Sequence, residues 1–333
     1  MKKFLSIFLI IIFIFVLTGC KETETEETYY TITFKVDGEI YKKVQVKEND
    51  PVSPIVAPQR DNLIFSFWSQ IGSSNPYDFD KPVKRNFTLN ANYEISSSSI
   101  NEVTMNYLHG IFTVKVEFVK ENKFWFIPIS EEITTQQGSA VAIGCSMLGY
   151  CFLTNSHVVN TLAEYDTRSI KVEDAWGKTY SATVVQVDAS YDLALLQCDM
   201  FSYSTLKEKN IPYFTLASSD PKVNDPVIAL STPKGQKNTI TSGKIQSYDT
   251  ITLTTQNEKT SNVTFPVIVH NAYIGSGSSG GALINSDYEL VGINYAARQT
   301  DEQFSGRCYS IPASKIREFF DKYELNDYLV LTN

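Results

Sequence analysis

Apolar and polar residues alternate along much of this chain, and the alternation predicts β-strands. Ile32, Phe34 and Val36 stand between Thr31, Thr33 and Lys35. Asp37-Gly38 then marks a hairpin turn, and Val44 and Val46 resume the pattern. Phe87, Leu89, Ala91 and Tyr93 fall on one strand face, and Phe112, Val114, Val116 and Phe118 alternate with Thr113, Lys115 and Glu117. Near the end the period changes. Ile316, Phe319, Phe320 and Tyr323 lie at i, i+3, i+4 and i+7, which predicts an amphipathic helix with its apolar face packed on the domain core. Two segments break the pattern. Phe4 to Leu17 is apolar apart from Ser6, and 14 residues suit the core of an export signal but not a membrane span. Residues 95–101 are Ile-Ser-Ser-Ser-Ser-Ile-Asn, which predicts a linker at a domain boundary.

Composition narrows the class. With 19 Tyr, 20 Phe and glycines gathered at turns, the chain is expected to be mostly β. Its 333 residues allow one large domain or two. The net charge is −8, and loss of Lys2 and Lys3 with a signal takes it to −10. That argues against nucleic acid as a partner, because phosphate backbones select basic surfaces.

The candidate chemistry centres on Ile274-Gly275-Ser276-Gly277-Ser278-Ser279-Gly280-Gly281-Ala282-Leu283. A nucleophilic serine needs its hydroxyl clear of the backbone and N–H groups aimed at the developing oxyanion. Ser279 is the candidate nucleophile, with the N–H groups of Gly277 and Ser279 as oxyanion donors. A plain Gly/Ser turn between strands is the competing reading of this stretch alone. The pattern also fits the G-x-S-x-G elbow, but that arrangement needs a histidine after the serine. The histidines are His109, His157 and His270, all upstream of Ser279. A base must therefore follow the order His, Asp, Ser. His157 ends the apolar run Phe152-Leu153-Thr154-Asn155-Ser156, and Asp192 opens another, Leu193-Ala194-Leu195-Leu196. A carboxylate entering a core needs a partner, and a histidine N–H supplies one. Asp188 is the rival acid, but at a strand end its expected role is turn capping.

With these phrases in place the second domain resembles the trypsin-like serine peptidases, and within them the HtrA/DegP group. The resemblance rests on Leu153-Thr154-Asn155-Ser156-His157-Val158-Val159, Asp192-Leu193-Ala194-Leu195-Leu196 and Gly277-Ser278-Ser279-Gly280-Gly281-Ala282-Leu283. Ala217-Ser218-Ser219-Asp220, Pro233-Lys234-Gly235, Thr239-Ile240-Thr241-Ser242-Gly243-Lys244-Ile245, Val291-Gly292-Ile293-Asn294 and Ser310-Ile311-Pro312 extend it, so that it runs from about Gly110 to Tyr323. It implies two six-stranded β-barrels with the triad in the cleft between them. It further implies His157 as general base, Asp192 as its orienting partner and Ser279 as attacking group. Three departures stand out. No PDZ module is expected after the peptidase domain, Ser278 replaces the commoner Asn or Asp, and Ala282 replaces the usual proline. The specificity pocket implied by the resemblance involves Tyr273, Ile274 and Asn294. Tyr273 stands where a trypsin-like pocket places its aspartate, so an apolar or small side chain before the cleaved bond is expected. His270 is expected to be a structural polar residue near the rim of the site.

The beginning of the chain carries no such chemistry. Leu17-Thr18-Gly19-Cys20 resembles a bacterial lipobox, which implies an export signal over 1–19, a lipidated Cys20 and a solvated tether over 20–28. Residues 29–94 resemble the internalin B-type repeat of bacterial surface proteins, a small β-grasp module. That likeness rests on Tyr30-Thr31-Ile32-Thr33-Phe34, Phe67-Trp68, Tyr77-Asp78-Phe79 and Thr88-Leu89-Asn90-Ala91. It implies spacing, display or a cell-surface ligand, and a spacer is the reading adopted. Residues 95–109 are read as linker and 110–326 as the peptidase domain. Besides Cys20, four cysteines allow three pairings. Cys145 and Cys151 flank a hairpin turn and form the expected bridge. No metal or organic cofactor is expected, since the chemistry needs only protein groups and water.

The expected function is a membrane-anchored extracytoplasmic serine endopeptidase acting on protein or peptide substrates. The alternatives are a catalytically silent surface-binding lipoprotein on a protease scaffold and an esterase using the same three residues.

Overall fold

The computed structural model describes residues 27–146, 149–160, 167–199, 205–206, 208–233, 239–252, 260–300 and 303–329. The expected export signal, Cys20 and most of the expected tether lie outside these residues, as do Lys234 and Gly235.

The first unit is a four-stranded sheet of β1 (Tyr29–Val36), β2 (Glu39–Lys47), β3 (Leu63–Gln70) and β4 (Phe87–Ile95), in the order β2-β1-β4-β3. β1 and β4 run parallel at its centre, and the outer strands pair antiparallel. The β1–β2 connection is the expected hairpin. Asp37 and Gly38 have φ of +52° and +85°, the two left-handed residues of a turn whose twist matches the flanking strands. The inward positions Ile32, Phe34, Trp68, Leu89 and Tyr93 form the core of this unit, and Phe34 meets Trp68 edge to face at 4.9 Å.

The serine-rich segment read as a linker is a helix, α1 (Ser97–Asn106). Ser96 caps it, its hydroxyl accepting the Ser99 N–H at 3.1 Å, and Val103 is fully buried beneath it. A capped first turn and one anchored apolar residue outweigh the weak helix propensity of serine. The repeat unit is docked on the domain that follows. Asn62 Nδ2 donates to the Ser286 carbonyl at 2.8 Å, Tyr288 donates to Ser99 Oγ at 3.3 Å, and Lys244 Nζ sits 5.6 Å from the centre of the Phe67 ring.

Two closed six-stranded barrels follow, as the sequence implied. The first contains β5 (Ile111–Phe124), β6 (Ile127–Ser146), β7 (Gly149–Thr154), β8 (Thr167–Glu173), β9 (Thr179–Asp188) and β10 (Leu193–Cys198). The second contains β11 (Pro226–Ser231), β12 (Thr239–Asp249), β13 (Val267–His270), β14 (Ala282–Ile284), β15 (Leu290–Thr300) and β16 (Gln303–Pro312). Phe112, Val114, Val116 and Phe118 all point into the first core. In the β6–β7 hairpin Cys145 lies opposite Tyr150, and Cys151 lies opposite Gly144. The expected Cys145–Cys151 pair is thus one position out of direct opposition. The Cys145 side chain is outside the described residues, and Cys151 is buried in the core.

The terminal helix α3 (Ala313–Lys322) buries Ile316, Phe319 and Phe320 as the period predicted. It bridges the barrels rather than covering only the second. Lys322 and Tyr323 reach Asp188 at the end of β9, at 2.7 and 2.8 Å, and Phe319 meets Tyr191 edge to face at 6.1 Å. Asp188 also accepts the Ser190 N–H at 2.8 Å, the turn-capping role expected of it.

Candidate active site

A one-turn helix, α2 (Ser156–Val159), leaves the end of β7 and carries His157. Ser156, Val158 and Val159 are buried, which turns the imidazole to the cleft. The facing acid sits in a turn closed by the Asp192 N–H donating to the Ala189 carbonyl at 3.2 Å. Asp192 holds φ of +50° and is fully buried. Its two carboxylate oxygens divide the work. Oδ1 accepts the His157 main-chain N–H at 2.9 Å, and Oδ2 meets His157 Nδ1 at 2.7 Å. Asn155 Nδ2 fixes the same turn by donating to the Asp192 carbonyl at 2.9 Å. Burial works against a charged imidazole, but the Asp192 charge and hydrogen bond outweigh it, so the His157 pKa is raised.

The loop carrying the candidate nucleophile Ser279 is built from the second barrel and held by the first. Ser278 N–H donates to the Gly275 carbonyl at 2.9 Å, and Gly277 has φ of +88°, which together make a type II turn. Gly280 also has a left-handed φ, +86°, and a Cβ there would stand 2.1 Å from the Ser139 carbonyl oxygen and 2.2 Å from Thr154 Oγ1. The first barrel clamps the loop through Ser139. Its N–H donates to the Ser279 carbonyl at 2.7 Å, and its hydroxyl to the Gly277 carbonyl at 2.8 Å. From the other side Gly280 N–H donates to the Asn294 carbonyl at 2.9 Å, and Asn294 N–H to the Gly281 carbonyl at 2.8 Å. Among the described residues, no backbone bond engages the N–H of Gly277 or of Ser279. Ser279 Oγ donates to the Tyr295 carbonyl at 3.3 Å. The Tyr295 ring lies edge-on to His157 with centroids 6.3 Å apart.

The other expected site residues are placed unevenly. Tyr273 is 46% exposed beside the loop. Ile274 and Asn294 are walled in, at 3% and 0% exposure. Asn294 spends its side-chain amide on the Leu230 and Ala282 carbonyls, at 3.3 and 3.2 Å, and so braces the loop from behind. His270 is not at a rim. It is fully buried in the second barrel, meets Ser310 Oγ at 3.0 Å, and burial pushes its pKa down to about 3. Sequence reading missed Ser139 and Ser231. Their positions near the loop come from strand pairing, and no local motif marks them.

Comparison with known proteins agrees with this geometry. Residues 138–293 match the trypsin-like peptidase domain family, and residues 30–92 match the Listeria-Bacteroides repeat domain. A probable periplasmic serine endoprotease DegP-like from Buchnera aphidicola is 33% identical over 188 residues, covering 55% of this chain and 36% of that protein. The periplasmic serine endoprotease DegP of Salmonella typhimurium is 32% identical over the same length, with the same coverages. The matches thus span little more than a third of those relatives. A solved structure of the HtrA-type protease AlgW with a decapeptide superposes with a TM-score of 0.51 at 24% identity, covering 68% of this chain and 67% of that one. The double barrel therefore has the fold of an HtrA-type protease and matches the trypsin-like peptidase domain over residues 138–293, and the sheet before it matches the Listeria-Bacteroides repeat domain over residues 30–92.

Proposed function

We propose that the chain is an exported serine endopeptidase that cleaves peptide bonds through an acyl-enzyme. The observation that carries this reading is the double grip of Asp192 on His157, at 2.9 and 2.7 Å, opposite a glycine-turn serine. Nδ1 donates to the carboxylate, so Nε2 is the basic nitrogen and faces the cleft. Ser279 Oγ attacks the scissile carbonyl as Nε2 takes its proton. The open N–H groups of Gly277 and Ser279 receive the oxyanion, and His157 returns the proton to the leaving amine. Water then repeats the sequence in reverse and frees the acid. In the resting geometry Ser279 Oγ rests on the Tyr295 carbonyl rather than on His157. The reading requires Oγ to turn to the imidazole, and such contacts commonly tighten only with substrate bound.

That resting bond is also the observation favouring the second reading, a silent binding protein on the same scaffold. Labelling with a fluorophosphonate probe separates the two. An active enzyme labels, and Ser279→Ala abolishes the signal. A folded chain that never labels would reject the peptidase reading.

Localisation follows from the same reading. The periplasmic relatives support export, and the apolar segment ending at Cys20 supports lipid anchoring on the outer face of a membrane. The repeat unit then spaces the peptidase domain from that surface. The substrates are protein or peptide segments threaded through the cleft, and Tyr273, standing where a trypsin-like pocket would place its aspartate, suits an apolar or small side chain.

A further inference from the structure

The longest hairpin in the first barrel ends in a cluster of exposed rings. Among the described residues, β5 pairs with β8 from Thr113 to Val119. Beyond that point the described pairing is between β5 and β6, out to Phe124 opposite Ile127. Five more residues of ribbon, roughly 16 Å, lead from there to the tip. At the tip Phe124, Trp125 and Phe126 are 68%, 84% and 91% exposed. Ile129 and Ile133 on the returning strand are 67% and 54% exposed. Scattered apolar residues on a surface mean little, but contiguous ones at a protruding tip mark a contact site.

The turn itself is built against local preference. A two-residue hairpin turn favours Asn-Gly or Asp-Gly, as at Asp37-Gly38. Here Trp125 occupies the left-handed region at φ +58°, where a bulky side chain is strained. Strain retained to display two aromatic rings points to a use for the rings.

We propose that this tip dips into the interface of a lipid bilayer and gives the chain a second membrane contact. The inference rests on the membrane-anchoring reading of Cys20 given above. Three features select this occupant. Rings at a narrow convex tip offer no groove for a complementary protein surface, whereas a bilayer deforms around them. Tryptophan and its neighbours prefer the boundary between headgroups and acyl chains. The chain outside the described residues leads back to the lipidation motif, which places one bilayer within reach and makes a weak second contact effectively intramolecular.

The test uses the full chain reconstituted into phosphatidylglycerol/phosphatidylcholine vesicles, with and without brominated acyl chains, read by tryptophan fluorescence. Trp68 is buried in the repeat unit and Trp176 is 55% exposed, so Trp125→Phe isolates the tip. Bromolipid is expected to quench the wild type, and Trp125→Phe is expected to lose at least half of that quenching. Equal quenching in the two proteins would overturn the proposal. Copy-to-copy cross-linking through Phe126→Cys, without quenching, would overturn it in favour of self-association. Labelling of Cys20 with a radioactive fatty acid separates the two layers of the argument. Labelled but unquenched protein rejects the tip alone, unlabelled and unquenched protein rejects both, and Trp125-dependent quenching without label upholds the tip without the anchor.

Discussion

The hydroxyl of Ser231 donates to the hydroxyl of Ser278 across 3.0 Å, with both residues buried. Ser278 Oγ in turn accepts the Gly275 N–H at 3.1 Å, so one side chain ties the turn before the nucleophile to the end of β11. A carboxylate or amide commonly fills this place in the peptidases the domain resembles. Here two small hydroxyls do the holding without burying a charge. Ser278→Ala leaves the Ser231 hydroxyl and the Gly275 N–H unpaired, which costs about 1–3 kcal/mol. The expected outcome is a lower melting temperature with a fall in kcat larger than any change in KM, because the oxyanion donors lose their setting. Thermal denaturation and peptide kinetics check it, and an unchanged kcat would remove Ser278 from the positioning of this loop.

Asp192→Asn should cost far more than its size suggests. An amide can donate to Nδ1, which fixes the wrong imidazole tautomer and leaves Nε2 carrying the proton. A loss of roughly 10⁴-fold in acylation rate is expected, the scale such a change has in serine peptidases. Stopped-flow labelling at neutral pH measures it, and a loss below tenfold would contradict the assigned roles.

The raised pKa of His157 gives a pH signature. Acylation needs the neutral imidazole, so the acid limb of the rate profile should lie above the ordinary histidine value of 6.5. Asp192→Asn should move that limb down. The stability effect has the opposite dependence. A group whose folded pKa is raised contributes stability fully below its unfolded pKa, and that contribution fades as pH rises through the folded value. His157→Gln should therefore destabilise the chain more at pH near ~6 than at ~9. Denaturant titrations at the two values decide it.

His270 predicts the reverse. Its pKa is pushed down to about 3 by burial, so the unfolded chain binds the proton more readily. Stability should fall as pH drops from 6.5 toward 3, at up to about 1.4 kcal/mol per unit from this group alone. His270→Gln should flatten that slope in denaturant titrations.

Gly280→Ala should fail outright. A Cβ at 2.1 Å from the Ser139 carbonyl oxygen cannot be relieved by a side-chain rotation, and φ of +86° penalises any side chain. Circular dichroism and probe labelling should show loss of labelling together with a destabilised second barrel.

How far the sequence foretold this arrangement depends on where each signal resides. His157, Asp192 and Ser279 could be singled out as candidates because each sits in a short local phrase with its own chemical reason. Strand alternation gave the mostly β character, and the two six-stranded barrels followed from the family resemblance those phrases carry. The supports were not legible. Ser139 and Ser231 look like ordinary strand serines, and only pairing between distant strands brings them to the nucleophile loop. Ile274 and Asn294 were read as pocket lining because of their order along the chain. Register turned both inward, where Asn294 meets backbone carbonyls instead of substrate. The helix after Ser96 was hidden by composition, since four serines in a row read as loop until one buried valine is seen to hold them.

The docking of the repeat unit changes what the chain's beginning can do. Asn62 is hydrogen-bonded to Ser286, only seven residues beyond Ser279, and Phe67 lies against Lys244 of the same barrel. The sheet and the cleft therefore turn together. Whatever holds the chain ahead of Thr28 also sets the direction in which the cleft opens. Turning the sheet on its tether would swing the cleft by the same angle.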